Sequence, residues 1–148
     1  MSIIIDRPPS VVWRSVEDIA SHVEWMADAE AIRFTSASTR GVGTTFDCDT
    51  KIGPFRLTDR MEITEWVPAA TMGVSHVGIV TGSGRFELRE VGKGRTEFIW
   101  EETLRFPAWM GGAVGARLGA PVMTQIWRRN LEHLKSKIEA REGGQANE

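Results

Sequence analysis

The sequence has few or none of several residue types, and each shortage excludes a class of function. It contains one cysteine, Cys48, which excludes an internal disulfide and a zinc site built from cysteines. It has no tyrosine, so acid–base chemistry by a phenolic hydroxyl is excluded. Its three histidines are too few for a histidine-rich metal site, and no phosphate-binding loop or dinucleotide fingerprint is present. We therefore expect neither a metal nor a cofactor.

Long apolar runs and a strong charge of one sign are also missing. No apolar run approaches the roughly 18 residues that a membrane-spanning helix needs. Lys and Arg number 18 and Asp and Glu number 20, so no basic excess points to nucleic acid. The segment Met1–Asp6 is too short for a signal peptide and lacks its basic start. We expect a cytoplasmic protein without a membrane span or a nucleic-acid partner, either a monomer or a homodimer.

The length and composition are those of one globular domain. The chain has 148 residues, of which 41% are hydrophobic and 26% are charged. A chain of this size buries roughly 70% of the surface that its unfolded form exposes, enough for a core without disulfides. No repeat or linker divides the sequence. We expect a single domain over residues 1–142 and a disordered polar tail over residues 143–148.

Helical patterns occupy the two ends of the sequence. The β-branched run Ile3–Ile5 predicts a strand, and the prolines that follow it suit the first turn of a helix over Pro9–Asp18. A capping-box pattern predicts a second short helix over Ser21–Met26. Apolar residues at helical spacing predict a long final helix over Pro121–Arg141.

Between the helices, apolar and polar residues alternate with a period of two. This pattern predicts strands of an antiparallel sheet with one covered face. Turn residues such as Gly53-Pro54 and Gly92-Lys93-Gly94 separate the strands. About six such strands, added to the first one, give a seven-stranded sheet and an α+β fold. The alternating stretches contain Ile32 and Phe34, Phe46 to Ile52, Phe55 to Ile63, Phe86 and Leu88, and Phe98 to Phe106.

A glycine-rich segment precedes the final helix and allows two interpretations. Gly111, Gly115 and Gly119 recur every four residues, and Pro121 follows them. If the segment is helical, a face without side chains leaves volume for a ligand beside the pocket mouth. If it is a mobile loop, the reason is that each internal glycine costs roughly 1 kcal/mol relative to alanine. The sequence leaves both open.

The order of these elements resembles the START-like or helix-grip superfamily, also called SRPBCC. Within it the chain is most similar to the polyketide cyclase/dehydrase and lipid-transport branch. The resemblance covers about residues 1–140 and depends on order and spacing rather than on one motif. The matching features are Pro8-Pro9 with Val12-Trp13, Asp18 to Trp25-Met26, Gly84-Arg85-Phe86-Glu87-Leu88, Thr96 with Trp100-Glu101-Glu102, and Trp127-Arg128-Arg129-Asn130-Leu131.

The resemblance implies a curved seven-stranded antiparallel sheet wrapped around a long C-terminal helix, with two short helices between strands 1 and 2. A hydrophobic cavity is expected between the sheet and the long helix. Members of the superfamily bind lipids, sterols or polyketides there, and include cyclases, carriers and co-chaperone-like proteins. The fold alone therefore does not choose a function.

Three titratable residues share the inward parity of their strands and are candidates for catalysis. Asp59 alternates in phase with Leu57, Glu102 with Trp100, and His76 with Val74. An inward carboxylate in a cavity can act as a general acid or base, and a histidine can carry protons near neutral pH. The structural alternatives are a bulge or a salt bridge for each carboxylate, and a hydrogen-bonded wall residue for His76. In the family's strand order, Asp59 and Glu102 lie on strands that are not neighbours, which implies that they face each other across the cavity.

The expected lining of the cavity comes from the apolar face of the sheet and one stripe of the final helix. Cys48 is expected there as a small apolar side chain, since no basic neighbour in its strand activates it. Asn130, beside the stripe, is expected to bond either a ligand or the sheet backbone. The predicted ligand-binding residues are Phe34, Phe46, Cys48, Leu57, Met61, Val74, Phe86, Trp100, Leu104, Gly115, Leu118, Val122 and Ile126.

Three hypotheses of function follow. The first is a protein that binds a hydrophobic small molecule, with Asp59, His76 and Glu102 orienting its polar end. The second is a cyclase or dehydratase in which the same three residues move protons. The third is a protein-interaction module, which predicts a core without a cavity and an exposed apolar patch. Trp66, on the outward parity of its strand, is the candidate for this patch, and the alternative is that it is covered at the end of the strand.

Overall fold

The computed structural model describes residues 1–141, and they form one antiparallel sheet with helices against its concave face. The sheet has seven strands in the order β1-β7-β6-β5-β4-β3-β2. This confirms the predicted α+β helix-grip fold. The predicted tail, residues 143–148, lies outside the described residues. The strands are β1 (Ser2–Ile5), β2 (Ala29–Phe34), β3 (Thr45–Ile52), β4 (Phe55–Val67), β5 (Thr71–Val77), β6 (Thr81–Glu90) and β7 (Thr96–Arg105).

The helices join and cover this sheet. Helix α1 (Pro9–Val16) and a 3₁₀ helix (Ile19–Glu24) connect β1 to β2, and a 3₁₀ turn (Ala108–Met110) leads into the long helix α2 (Gly112–Ala140). Prolines open α1 as predicted, but α1 ends at Val16 rather than Asp18. The second short helix is 3₁₀ rather than α-helical.

The glycine-rich segment belongs to α2. The helix starts at Gly112, nine residues before the predicted start, and Pro121 lies inside it. Gly111 and Gly112 have φ values of +92° and +52°, a backbone conformation that glycine adopts without strain and that turns the chain into the helix. Of the two interpretations of this segment, the structure therefore has the helical one.

A bulge in β4 changes the direction of the side chains that follow it. The register with β5 shifts between Ile63 and Glu65, so the strict alternation is lost there. Trp66 consequently packs against Trp13 of α1, with ring centroids 5.2 Å apart, and belongs to the margin of the core. Of the two possibilities for Trp66, the structure shows the covered side chain rather than the exposed patch, because the bulge reverses the parity that the period-two pattern assigns.

The core lies between the concave face and the second half of α2. Trp25, Phe98 and Leu134 are among its buried side chains. All the buried residues of α2 stand at or after Asn130, and its first eighteen residues bury none. The second half of α2 therefore anchors the helix, and the first half extends over one end of the sheet with little packing beneath it.

Candidate functional site

An apolar cavity lies between the concave face of the sheet, the 3₁₀ helix and the middle of α2. Its volume is about 160 Å³. Apolar cavities of about this size stay dry and accept a benzene-sized molecule. The lining combines aromatic, aliphatic and methionine side chains with a few polar ones. A cavity of this volume therefore fits a ligand with a single ring. The polar side chains of the lining determine which polar groups that ligand can carry.

Three of the polar side chains that line the cavity form one cluster on its wall. His76 of β5 lies between Asp59 of β4 and Glu102 of β7, and all three side chains are more than nine-tenths buried. Strand β6 separates β5 from β7, so His76 must reach across it. Gly84 of β6 makes room for this: a Cβ at that position would lie 2.6 Å from Glu102 Oε2. The cluster forms across four strands because β6 has no side chain at the crossing.

Hydrogen bonds fix the geometry of this cluster, which we call the acid–histidine cluster. His76 Nδ1–H donates to Asp59 Oδ2 in a very short contact, and Nε2–H donates to Glu102 Oε1 at 2.6 Å. The indole N–H of Trp100 donates to Glu102 Oε2 at 2.8 Å. The fourth carboxylate oxygen, Asp59 Oδ1, is buried without a hydrogen-bond partner among residues 1–141.

The hydrogen bonds also determine the charge of the cluster. Each ring nitrogen of His76 lies within hydrogen-bond distance of a carboxylate oxygen, an arrangement that favours a proton on both nitrogens and hence an imidazolium. Burial alone lowers the pKa of His76, but the hydrogen bonds and charges of Asp59 and Glu102 outweigh burial and raise that pKa to about 9.

Two other titratable groups of the cavity wall, His22 and Cys48, are uncharged at neutral pH. Burial lowers the pKa of His22 to about 4, and its Nε2 lies 2.7 Å from the carbonyl oxygen of Val16. Burial raises the pKa of the Cys48 thiol to about 11. Cys48 therefore remains a protonated thiol with the character of a small apolar side chain. Asp28 and Arg85 also line the cavity; Asp28 accepts a hydrogen bond from the Asn130 amide, and Arg85 pairs with Glu65 and Glu87.

Eight of the thirteen predicted ligand-binding residues line the cavity. They are Phe46, Cys48, Leu57, Met61, Val74, Phe86, Trp100 and Leu104, all on the sheet. The predicted catalytic residues Asp59, His76 and Glu102 line it as well. The period-two alternation places side chains correctly wherever a strand is regular, and these eleven residues come from regular stretches.

The other five predicted lining residues lie elsewhere, and four of them are on α2. Leu118 and Val122 point to solvent, and neither Gly115 nor Ile126 reaches the cavity. The residues of α2 that do line it are Met123 and Trp127. The inward stripe of the first half of α2 is thus rotated by one residue from the predicted one. Phe34, at the far end of β2, packs against Phe46 with ring centroids 6.2 Å apart and does not line the cavity.

Several residues of the cavity lining are not among the predicted ones. Ile19, His22 and Met26 come from the 3₁₀ helix and the turn after it, where no period is established. Trp127 belongs to the apolar stripe that predicts the final helix but is absent from the predicted lining. Counting back from Asn130 in steps of three and four leads to Trp127 and Met123. Asn130 itself is structural: its Oδ1 accepts the Ala27 backbone N–H at 2.9 Å, and its amide donates to the Asp28 carboxylate at 2.7 Å.

The described part of the chain shows neither a metal-binding group nor a membrane span. Within residues 1–141, no three His, Cys, Asp or Glu side chains are arranged to hold a metal ion. None of the helices described over that range combines the length and the apolar composition needed to cross a bilayer.

Comparison with known proteins extends over almost the whole chain. The chain is similar in structure to the Zhui aromatase/cyclase from Streptomyces sp. R1128, with a TM-score of 0.75, 14% identity, and coverage of 95% of this chain and 92% of that one. It is similar to a protein of Thermus thermophilus, with a TM-score of 0.74, 17% identity and coverage of 95% of both chains. A two-domain aromatase/cyclase, BexL from the BE-7585A biosynthetic pathway, gives a TM-score of 0.72 at 17% identity over 95% of this chain and 49% of that one. At these identities the likeness shows the fold.

The family itself is shown by sequence. Comparison with curated proteins gives no match. A family model described as polyketide cyclase / dehydrase and lipid transport matches residues 1–139. That description supports hydrophobic-ligand binding or cyclase activity in general and does not choose between them. Because the match spans nearly the whole sequence, the chain belongs to the polyketide cyclase/dehydrase and lipid transport family.

Proposed function

We propose that the chain is an enzyme that binds an apolar, ring-containing small molecule in the cavity and moves protons on it in a dehydration or cyclisation. The observation that carries this proposal is the acid–histidine cluster, a histidine between two carboxylates, all buried in an otherwise apolar cavity. The two structural neighbours named as aromatase/cyclases share the fold that holds this cavity.

The cost of the cluster favours a chemical role over a purely structural one. Removing an ion from water costs several kcal/mol even after relaxation, and apolar side chains of similar volume stabilise a core at least as well. Groups of this kind, buried and mutually perturbed in a cavity, concentrate at functional sites. An apolar residue would fill the place of His76 in the core equally well. The two carboxylates bonded to His76 therefore suggest proton transfer.

The chemistry that fits needs both a proton acceptor and a proton donor. In a dehydration, a carboxylate takes a proton from a carbon next to a carbonyl group. The electrons of that C–H bond form the new double bond, and the neighbouring hydroxyl leaves as water with a proton from the cluster. The proton gained by one carboxylate then passes through His76 to restore the donor. One proton is taken and one is given, so the reaction requires no oxidant and no cofactor.

The size of the cavity limits the reacting part of the ligand. A volume of about 160 Å³ is below the roughly 300–1,000 Å³ typical of sites that enclose a drug-sized ligand. The aromatic side chains Phe86, Trp100 and Trp127 offer ring faces around it. The cavity therefore suits one ring with its carbonyl and hydroxyl groups directed at the acid–histidine cluster.

A carrier without catalysis is the second candidate, and one observation favours it. Both ring nitrogens of His76 are already bonded to carboxylates, and its pKa near 9 keeps the ring charged at neutral pH. A fixed imidazolium of this kind would only orient the polar end of a ligand.

Amide variants of the two carboxylates separate these candidates. We expect Glu102→Gln and Asp59→Asn each to lower turnover by about a hundredfold to ten-thousandfold, the contribution typical of a positioned acid or base. We expect binding to change little, because the amides keep the shape of the cavity. The probe is an aryl β-hydroxyketone, whose dehydration produces a conjugated enone followed by ultraviolet absorbance. Native mass spectrometry measures its binding.

The matched control is Glu101→Gln, which removes an exposed carboxylate from β7, the strand of Glu102. Turnover should not change in this variant. Binding of the ketone without turnover by the unaltered protein would favour the carrier. Failure to bind this ketone and a panel of single-ring ketones would contradict both candidates.

A further inference from the structure

Five large apolar side chains stand exposed at one end of the molecule. They are Phe55, Ile79, Trp109, Val114 and Leu118, and we call them the apolar rim. Phe55, Trp109 and Leu118 are each about three-quarters exposed, at 76%, 75% and 76%. Single exposed apolar residues are ordinary, but five gathered at one end of a small protein indicate an interaction site.

The strand register places the rim at the mouth of the cavity. Phe55 pairs with Ile52 at the β3–β4 turn, and Thr81 pairs with both Val77 and Arg105. These pairings bring the β3–β4 turn, the β5–β6 turn and the end of β7 to the same end of the sheet, where α2 starts. The lining residues nearest this end, Ile52, Val80 and Phe106, adjoin the rim in sequence.

Positive charge surrounds the same mouth. The segments 50–58, 66–86 and 103–131 contain no Asp or Glu, although the whole chain has a net charge of −2. Lys51, Arg105 and Arg117 are exposed there, and none forms an ion pair within residues 1–141. A fourth cation, Arg56, pairs with the carboxylate of Glu30 on β2 at 3.5 Å. Asp28 and Glu30 are also at this end of the sheet, but both carboxylates have partners, since Asp28 accepts the Asn130 amide and Glu30 pairs with Arg56.

We propose that the apolar rim and its cations dock the mouth of the cavity on an anionic lipid bilayer surface. Bulky apolar side chains, including a tryptophan, enter the boundary between headgroups and acyl chains, while Lys and Arg bind the anionic headgroups. The first half of α2 presents Val114 and Leu118 on one exposed face. Docking in this orientation opens the cavity toward the bilayer, so an apolar ligand enters it without crossing water.

The charges decide between a bilayer and the other possible occupants. A second copy of the chain would bring the cations of two mouths together, and like charges at close range oppose association. An acidic protein would satisfy the cations but gives no reason for five protruding apolar side chains. A bilayer carrying anionic lipid accounts for both features.

The test is co-sedimentation of the full chain with vesicles of phosphatidylcholine alone and of equal parts phosphatidylcholine and phosphatidylglycerol. We expect binding to the anionic vesicles at low ionic strength and its loss in high salt, which screens exposed charges. Leu118→Ala and Trp109→Ala should each weaken binding about tenfold. Arg117→Gln should weaken it about fivefold, since each cation near such a surface contributes about 1 kcal/mol.

Matched controls lie at the opposite end of the molecule. Val42→Ala removes an exposed apolar side chain between β2 and β3, and Arg14→Gln removes an exposed cation of α1, and neither should change binding. All these side chains are exposed, so circular dichroism should show unaltered folding. The proposal is overturned if rim variants and controls bind alike, or if both vesicle types bind the protein equally. It is also overturned by an absence of binding to anionic vesicles.

Discussion

Replacing His76 with alanine should lower the free energy of unfolding at pH 7 by about 3–5 kcal/mol, the usual cost of removing one partner from a buried ion pair. The side chains of Asp59 and Glu102 are more than nine-tenths buried, and both bond to the imidazolium. Without it, two carboxylates face each other in an apolar cavity with no cation between them. Urea denaturation at pH 7 and at pH 4 measures the effect. The loss should shrink at pH 4, where protons neutralise the stranded carboxylates.

Two further variants make this expectation specific. His133 is exposed on α2, and His133→Ala should leave stability unchanged at both pH values. Adding Asp59→Asn and Glu102→Gln to His76→Ala should recover part of the lost stability at pH 7, because neither amide carries a charge. An equal loss at pH 7 and pH 4 would show that the variant suffers only from a packing defect, which contradicts the electrostatic explanation.

The unaltered protein should lose about 3 kcal/mol of stability as the pH rises from about 6.5 to about 9. The pKa of His76 is raised to about 9 in the folded state, against 6.5 for an ordinary histidine. The folded state therefore holds a proton that the unfolded state has already released over this interval. That stabilisation is complete below pH 6.5 and disappears as the pH passes through the folded-state pKa. Urea denaturation across this range measures the slope.

Below pH 6.5 the buried His22 should make the free energy of unfolding fall as the pH decreases. Burial lowers the pKa of His22 to about 4, so between pH 6.5 and 4 the unfolded state binds a proton that the folded state does not. Stability should fall as the pH decreases through this interval. The His76→Ala variant should lose the alkaline decline and keep the acidic one. An unaltered protein whose stability does not change from pH 6.5 to 9 would contradict the assigned charge of His76.

The strands and the inward direction of the three cluster residues could be predicted from sequence, because a regular strand has a strict period of two. Asp59, His76 and Glu102 each keep the parity of an apolar neighbour, and that information is local. Their meeting in one cluster is not local. It depends on β6 lying between β5 and β7 and on Gly84 leaving room for the Glu102 carboxylate. Alternation of apolar and polar residues does not reveal this use of a glycine.

The long helix shows where periodicity fails. The first half of α2 carries small or apolar residues on several sides, so its sequence does not determine the inward stripe. The buried second half fixes it, and counting back from Asn130 leads to Trp127 and Met123 rather than to Ile126 and Val122. At Trp66 the bulge of β4 has a comparable effect. In both places tertiary packing, not local pattern, sets the direction of the side chain.

The protonation state of His76 tests the central claim most directly. Nitrogen NMR of the imidazole ring, recorded from pH 6 to pH 10 on the protein without added ligand, distinguishes a protonated from a neutral ring nitrogen. If the acid–histidine cluster holds an imidazolium between two carboxylates, both nitrogens of His76 should remain protonated at pH 7.5 and lose a proton near pH 9. A ring that is already neutral at pH 7 would contradict the charge assigned to the acid–histidine cluster.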